Sequence, residues 1–247
     1  MRLRMKGVGI LVILGTTIVT LAGSTRAARA ASPADSTVVC LHAQAHNTKG
    51  LTCDGSPEQA GIACDQYTKT WPLQTGADVY MILAKGDSLT GIAALTVGIE
   101  YSQPVSRQDG IGCDVFDYVL CAELEYPNSP DNVVAHEWPW SGGGNVLVWS
   151  YTNHCQRKVL GNYGVHTTAC AFYVYAYSAD TFAVTKNNNL QGGPDILISD
   201  CSLAIHHLVW PQAGGKIGFG TNTGFNPCTD TVPVKGTTWG RLKQQYH

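Results

Sequence analysis

Charge is scarce in this sequence. Asp, Glu, Lys and Arg supply 14% of its 247 residues, where a soluble domain usually carries about 25%. The polar surface must therefore come from Ser, Thr, Asn and Gly. Positive charge is scarcer still once position is considered. Five of the 16 bases (Arg2, Arg4, Lys6, Arg26 and Arg29) lie in residues 1–30, which hold no acid. The other 11 bases face 18 acids, a net charge of −7. Proteins that neutralise phosphates cluster Lys and Arg, so this balance argues against nucleic acid and anionic membranes as partners.

Catalytic signatures are also missing. There is no Gly-x-Ser-x-Gly elbow, no dinucleotide fingerprint and no phosphate loop. His136-Glu137-Trp138-Pro139-Trp140 begins like a zinc-protease helix, but that chemistry needs a second His at position 140, and Pro139 opposes the helix. His42 and His46 would share a helix face, yet Thr37–Leu41 before them reads as a strand. The adjacent His206 and His207 should point to opposite faces of a strand, one inward and one outward. Glu123 with Glu125, and Asp114 with Asp117, are the nearest paired carboxylates. They read as solvated acids on an exposed edge. Asp109, Asp114 and Asp117 lack the spacing of a calcium hand. No catalytic residue, metal or cofactor is assigned, although a hydrolase whose residues converge only in three dimensions remains an alternative.

What is present starts with an export segment. Arg2, Arg4 and Lys6 precede the apolar stretch Gly7–Gly23, and Ala28-Arg29-Ala30 supplies a small-x-small cleavage pattern, so residues 1–30 read as a signal peptide. No later apolar run is long enough to span a membrane. All nine cysteines follow that segment, and in an exported chain they are read as disulfides before metal ligands. The expected bridges are Cys53–Cys64, Cys121–Cys155 and Cys201–Cys228, each flanking a loop-like stretch. An odd number leaves at least one thiol free or paired between molecules.

The dominant period is two. Leu95, Val97, Ile99 and Tyr101 alternate with Ala94, Thr96, Gly98 and Glu100, as in a half-buried antiparallel strand. Val79–Ala84 is apolar on both faces and reads as a central strand. The turn signal Lys85-Gly86-Asp87-Ser88 between these runs predicts a hairpin. Further strands are expected at Asp114–Leu124, Asn145–Tyr151, Ala169–Tyr177, Thr181–Thr185, Ile196–Leu203 and Lys216–Gly220. The fold class is therefore all-β: an antiparallel, disulfide-containing β-sandwich with a short C-terminal helix. Residues 31–76 form a Cys-containing N-terminal strand and loop excursion, 77–231 the sandwich core and 232–247 a C-terminal tail. In the tail, Thr237 or Thr238 could cap a helix whose apolar face is Trp239, Leu242 and Tyr246. That face would pack on the sandwich or serve as a recognition tail.

Four segments carry a resemblance: ADVYMILAKGDSLTGIAALTVGIEYS, FYVYAYSADTFAVT, FGTNTGFNPC and VPVKGTTWGRLKQQY. They resemble a group of uncharacterised exported bacterial β-sandwich proteins with a Trp-Gly-Arg-Leu-Lys-type tail. The first segment is also similar to the opening strands of cohesin-like modules, which implies scaffolding or surface attachment. Aromatic residues are the remaining signal. Trp138 and Trp140 cluster with Trp149 and Tyr151, and Tyr173, Tyr175 and Tyr177 line one strand face. Flat rings on a rigid sheet can anchor a protein or stack on a sugar. The expected function is an exported, non-catalytic structural or adhesive protein, at the cell surface or outside the cell, with a protein or glycan partner. A carbohydrate-binding module is the alternative that uses the same Trp and Tyr residues.

Overall fold

Alternating apolar and polar side chains sort the chain into two sheets. The structure, a computed structural model, describes residues 36–47, 49–102, 108–188 and 195–231. Among them are 12 strands and no α-helix. These are β1 (Val38–Ala45), β2 (Thr70–Trp71), β3 (Ala77–Gly86), β4 (Ala94–Glu100), β5 (Cys113–Leu120) and β6 (Leu124–Asn128), then β7 (Gly144–Val148), β8 (Val165–Ala176), β9 (Asp180–Thr185), β10 (Ile196–Ser199), β11 (Ile205–Leu208) and β12 (Lys216–Phe219). The fold is an all-β two-sheet sandwich. The export segment and the tail with its expected helix lie outside the described residues.

The first sheet runs β1-β3-β8-β5. β3 is buried on both faces, as its apolar sequence requires. It pairs with β1 from Val38↔Ala84 to Ala45↔Ala77 and with β8 on its other side. The second sheet runs β11-β10-β4-β9-β12-β2, with β7 on the other edge of β4 and β6 beyond it. One edge of β4 serves two neighbours: Ala94–Thr96 pair with β10, and Gly98–Glu100 pair with β9. Gly98 sits at this fork because a Cβ there would lie 2.4 Å from the Lys186 carbonyl oxygen.

The hairpin expected across Lys85–Ser88 does not form. β3 and β4 belong to different sheets. The physical reason is that β1 and β8 occupy both hydrogen-bonding edges of β3, which leaves no edge for β4. The connection after Gly86 therefore changes layer, with Lys85 in the left-handed region at φ 59°. Between the layers, Phe172 of β8 meets Phe182 of β9 at a centroid distance of 5.1 Å, and Tyr101 and Trp138 pack on this pair at 5.5 and 5.6 Å. On one flank β1 also joins the second layer. Val39 donates to the Ala213 carbonyl and accepts from the Gly215 N–H, both at 2.7 Å.

The excursion after β1 folds over the outer face of the first sheet. The outward side chains Cys40, His42, Tyr80 and Ile82 are buried there instead of solvated. Tyr80 donates its phenol to the Thr52 carbonyl at 3.1 Å, Gln44 donates to the Gly55 carbonyl at 3.1 Å, and the Thr168 N–H donates to Glu58 at 2.9 Å. Three disulfides fix the arrangement: Cys53–Cys121, Cys64–Cys228 and Cys155–Cys201. They join the same six cysteines that spacing singled out, but none of the expected pairs forms. The pairs that form are 46–164 positions apart in sequence, with Cα separations of 5.6–6.0 Å that arise from long-range contact. Cys40, Cys113 and Cys170 are free and buried.

Candidate functional site

The excursion leaves one end of the first sheet uncovered, and that end is aromatic. On β8, Phe172, Val174 and Ala176 face the core, while Tyr173 and Tyr175 point outward and are half-buried. Tyr177 continues the stripe just past the strand and is 41% exposed. Asp114 and Asp117 of β5 lie opposite Tyr175 and Tyr173. The bulge between Val115 and Asp117 turns Phe116 into the same neighbourhood, where its ring lies 5.8 Å from that of Tyr173.

Tyr173 is held from both sides. His46 stacks on it at 3.9 Å with an interplanar angle of 24°. The His46 ring is in turn fixed by Asp78, Nδ1 to Oδ1 at 2.6 Å, and the other Asp78 oxygen accepts the Asn47 N–H at 3.1 Å. Gly76 provides the space: a Cβ there would lie 2.6 Å from Cε2 of Tyr173. Asp114 accepts the Asp109 and Gly110 N–H groups at 3.1 and 3.0 Å. Its burial raises the carboxyl above the ordinary value despite those bonds. Asp114 therefore anchors the loop before β5.

The two tryptophans do not join this stripe. Trp138 is only 7% exposed and packs on Phe172 and Tyr118 in the core, which corrects its reading as a surface ligand. The cause is its place after β6, where the chain turns in toward the interior. Trp140 is half-buried and stacks on His136 at 4.1 Å. It belongs to the connection between β6 and β7 in the second layer, away from the tyrosine face. Sequence clustering grouped them because it could not separate the layers.

The second sheet also presents an open face. Cross-strand partners build two rows over β6, β7, β4, β10 and β11: Tyr126–Val146–Thr96–Leu197–His207 and Leu124–Val148–Ala94–Ser199–Ile205. Leu124, Tyr126 and Ile205 are 57%, 61% and 56% exposed. This face mixes aliphatic side chains with Thr96, Ser199, His207 and Tyr126. Sequence reasoning missed it because β6 and β11 are short, five and four residues, and their sheet neighbours are remote in sequence.

Imidazole–carboxylate pairs are frequent, and two of them include a serine hydroxyl. Asp131 accepts the Ser129 hydroxyl at 2.7 Å and holds His136 Nδ1 at 2.7 Å. Asp200 likewise stands between the Ser202 hydroxyl, 2.6 Å, and buried His206, 3.0 Å. In a nucleophilic relay the imidazole stands between hydroxyl and carboxylate; in both clusters here the carboxylate takes that place. His206 is buried and His207 exposed, the opposite facing that a strand imposes.

A cavity of about 360 Å³ is lined by Glu58, Glu123, His154, Gln156 and Thr167 beside the Cys53–Cys121 bridge. Its acids serve the loops around it. Glu58 accepts the Thr168 N–H and faces Lys158 at 3.3 Å, while Glu123 accepts the Ser150 N–H at 2.7 Å and pairs with His154. Glu125 accepts from the Tyr118 phenol at 2.7 Å and from Asn145 at 2.8 Å. The expectation of two solvated edge acids is thereby replaced by two anchored ones.

No protein-family model matches the sequence, and no curated protein matches it. Among solved structures, the chain is similar to a cohesin module from a Clostridium perfringens family 33 glycoside hydrolase, with 7% identity, a TM-score of 0.38, and coverage of 74% of this chain and 97% of that one. It is similar to a type II cohesin domain from the Acetivibrio cellulolyticus cellulosome, with 6% identity, a TM-score of 0.37, and coverage of 62% and 90%. A second type II cohesin module from that organism's adaptor scaffoldin gives 9% identity, a TM-score of 0.36, and coverage of 75% and 96%. At these scores the overlaps carry no binding property across to this chain.

Proposed function

We propose that the chain is an exported, non-catalytic binding module that docks a protein partner through the aromatic end of its first sheet, at the cell surface or outside the cell. One observation carries the reading. The excursion covers the rest of that outer face and leaves open the part where His46, Phe116, Tyr173, Tyr175 and Tyr177 gather. Aromatic side chains on a rigid sheet offer large contact area at small entropic cost. Their tilt favours a protein over a sugar chain. Phe116 and Tyr173 are inclined by 43°, and Tyr175 and Tyr177 by 55°, so the rings do not form a flat platform. Three disulfides support an oxidising compartment.

The test is retention of the full chain at the surface of the producing cell. Tyr173→Ala with Tyr175→Ala should lower retention about tenfold or more, with an unchanged melting temperature. Retention that survives the double change overturns the proposal. Loss instead with Leu124→Lys and Ile205→Lys moves the docking face to the other layer, and loss on treatment with glycosidases makes the ligand a glycan.

A further inference from the structure

Three cysteine sulfurs meet where β1, the excursion and the segment after β12 converge. The Cys40 Sγ lies 3.4 Å from the Cys228 Sγ, and the sulfurs of Cys40, Cys64 and Cys228 all fall within 4.8 Å of one another. Among the described residues no other group of three His, Cys, Asp or Glu side chains gathers this closely. Cys40 and Cys64 are buried and Cys228 is half-buried. A bridge joins Cys228 to Cys64, yet the free thiol of Cys40 is in contact with the same sulfur.

Hydrogen bonds, independent of the bridge, hold this meeting point together. Asn226 donates its side-chain amide to the Cys64 carbonyl at 2.7 Å and accepts the Cys228 N–H at 3.0 Å. Asp230 accepts the Asn226 N–H at 2.8 Å and pairs with Lys69 of the excursion at 2.6 Å. Lys85, at the end of β3, donates its ammonium to the Cys228 carbonyl at 3.0 Å. The turn carrying Cys228 therefore stays between Cys40 and Cys64 whichever of them it is bonded to.

We propose that Cys40, Cys64 and Cys228 form a thiol–disulfide exchange centre in which Cys228 is shared between two partners. The Cys40 thiolate attacks the Cys228 sulfur. A Cys40–Cys228 bond forms, the Cys228–Cys64 bond breaks, and the electron pair leaves on the Cys64 sulfur. The proton released by Cys40 is balanced by the one Cys64 takes up. One disulfide and one thiol exist before and after, so no oxidant or reductant is consumed. Burial pushes the Cys40 thiol up, and the Lys85 ammonium pulls it part of the way back. That resistance makes exchange slow, because the attacking species is the thiolate. The outcome is structural. Paired with Cys64, the Cys228 turn ties down the excursion. Paired with Cys40, it ties to β1, and the excursion keeps only its Cys53–Cys121 bridge.

The experiment uses the full chain with thiols counted after denaturation without reductant. In Cys64→Ser, re-pairing of Cys228 with Cys40 leaves two thiols, Cys113 and Cys170; four thiols, with Cys40 and Cys228 added, overturns the proposal. In Cys40→Ser, two thiols and an intact Cys64–Cys228 bridge are expected. The wild-type chain provides the second measurement, which does not depend on a variant folding. After days in buffer free of redox reagents and an acid quench, its peptide map should contain both Cys40–Cys228 and Cys64–Cys228. A map with Cys64–Cys228 alone overturns the proposal, as does zinc bound in equal amount to the chain with no bridge at Cys228.

Discussion

Thr68 donates its backbone N–H to Nδ1 of His42 over 3.0 Å, so the buried imidazole must be neutral at that nitrogen. The bond ties the end of the excursion to β1. Burial also lowers the His42 pKa from 6.5 to about 4, because a charged ring is poorly solvated there.

Stability should therefore depend on mild acid. The folded pKa lies below the unfolded one, so the unfolded chain binds the extra proton first as pH falls. The contribution is intact above about pH 6.5 and is lost on the way down to about pH 4, roughly 2–3 kcal/mol by about pH 4.5. Urea midpoints measured across this range should fall in the wild type and fall less in His42→Asn, whose carbonyl can still accept the Thr68 N–H. Burial lowers the His166 pKa too, so some slope should remain in the variant. Equal slopes in both proteins would contradict the assignment.

Gly76→Ala separates the docking face from the fold. Its Cβ would meet Tyr173 at 2.6 Å, but the ring is half-buried and can swing outward. Stability should change by about 1 kcal/mol or less, while the His46 stack is lost and surface retention falls toward that of Tyr173→Ala. Thermal melts and retention assays on the same preparations check this, and unchanged retention counts against the face.

Asp180 accepts N–H groups from Ser102 at 3.1 Å, Cys113 at 2.8 Å and Thr181 at 2.7 Å. It thereby joins the end of β4, the start of β5 and the start of β9. Asp180→Ala leaves these donors without their acceptor and should destabilise the chain by about 2–3 kcal/mol, read as a lowered denaturant midpoint. An unchanged midpoint would show that solvent replaces the carboxylate.

Removing the Cys53–Cys121 bridge by a double change to Ala opens a loop of 68 positions. Chain entropy sets the loss at about 4 kcal/mol. The denaturant midpoint should drop accordingly, and the part of the excursion near Tyr80 should exchange its amide hydrogens fastest.

How much of this was legible in the sequence follows from the range of each interaction. β3 could be placed at the centre of a sheet because burial on both faces writes itself into consecutive residues such as Val79–Ala84. The facing of His206 and His207 follows from the strand's period alone. The disulfide partners and the connection from β3 to β4 were not legible, because they depend on which layer each strand joins. Trp138 was misread for the same reason: its neighbours Phe172 and Tyr118 are remote in sequence. The excursion inverts the usual rule by burying outward-facing Cys40 and His42, and nothing in the alternation of β1 announces that cover.

The Cys64–Cys228 bridge spans 164 positions. Synthesis runs from the N-terminus, so Cys64 emerges long before its partner, in the company of Cys40 and Cys53. Native oxidation must wait for almost the whole polypeptide. During that interval any pairing among the earlier cysteines has to be reversible for the native bridge to form.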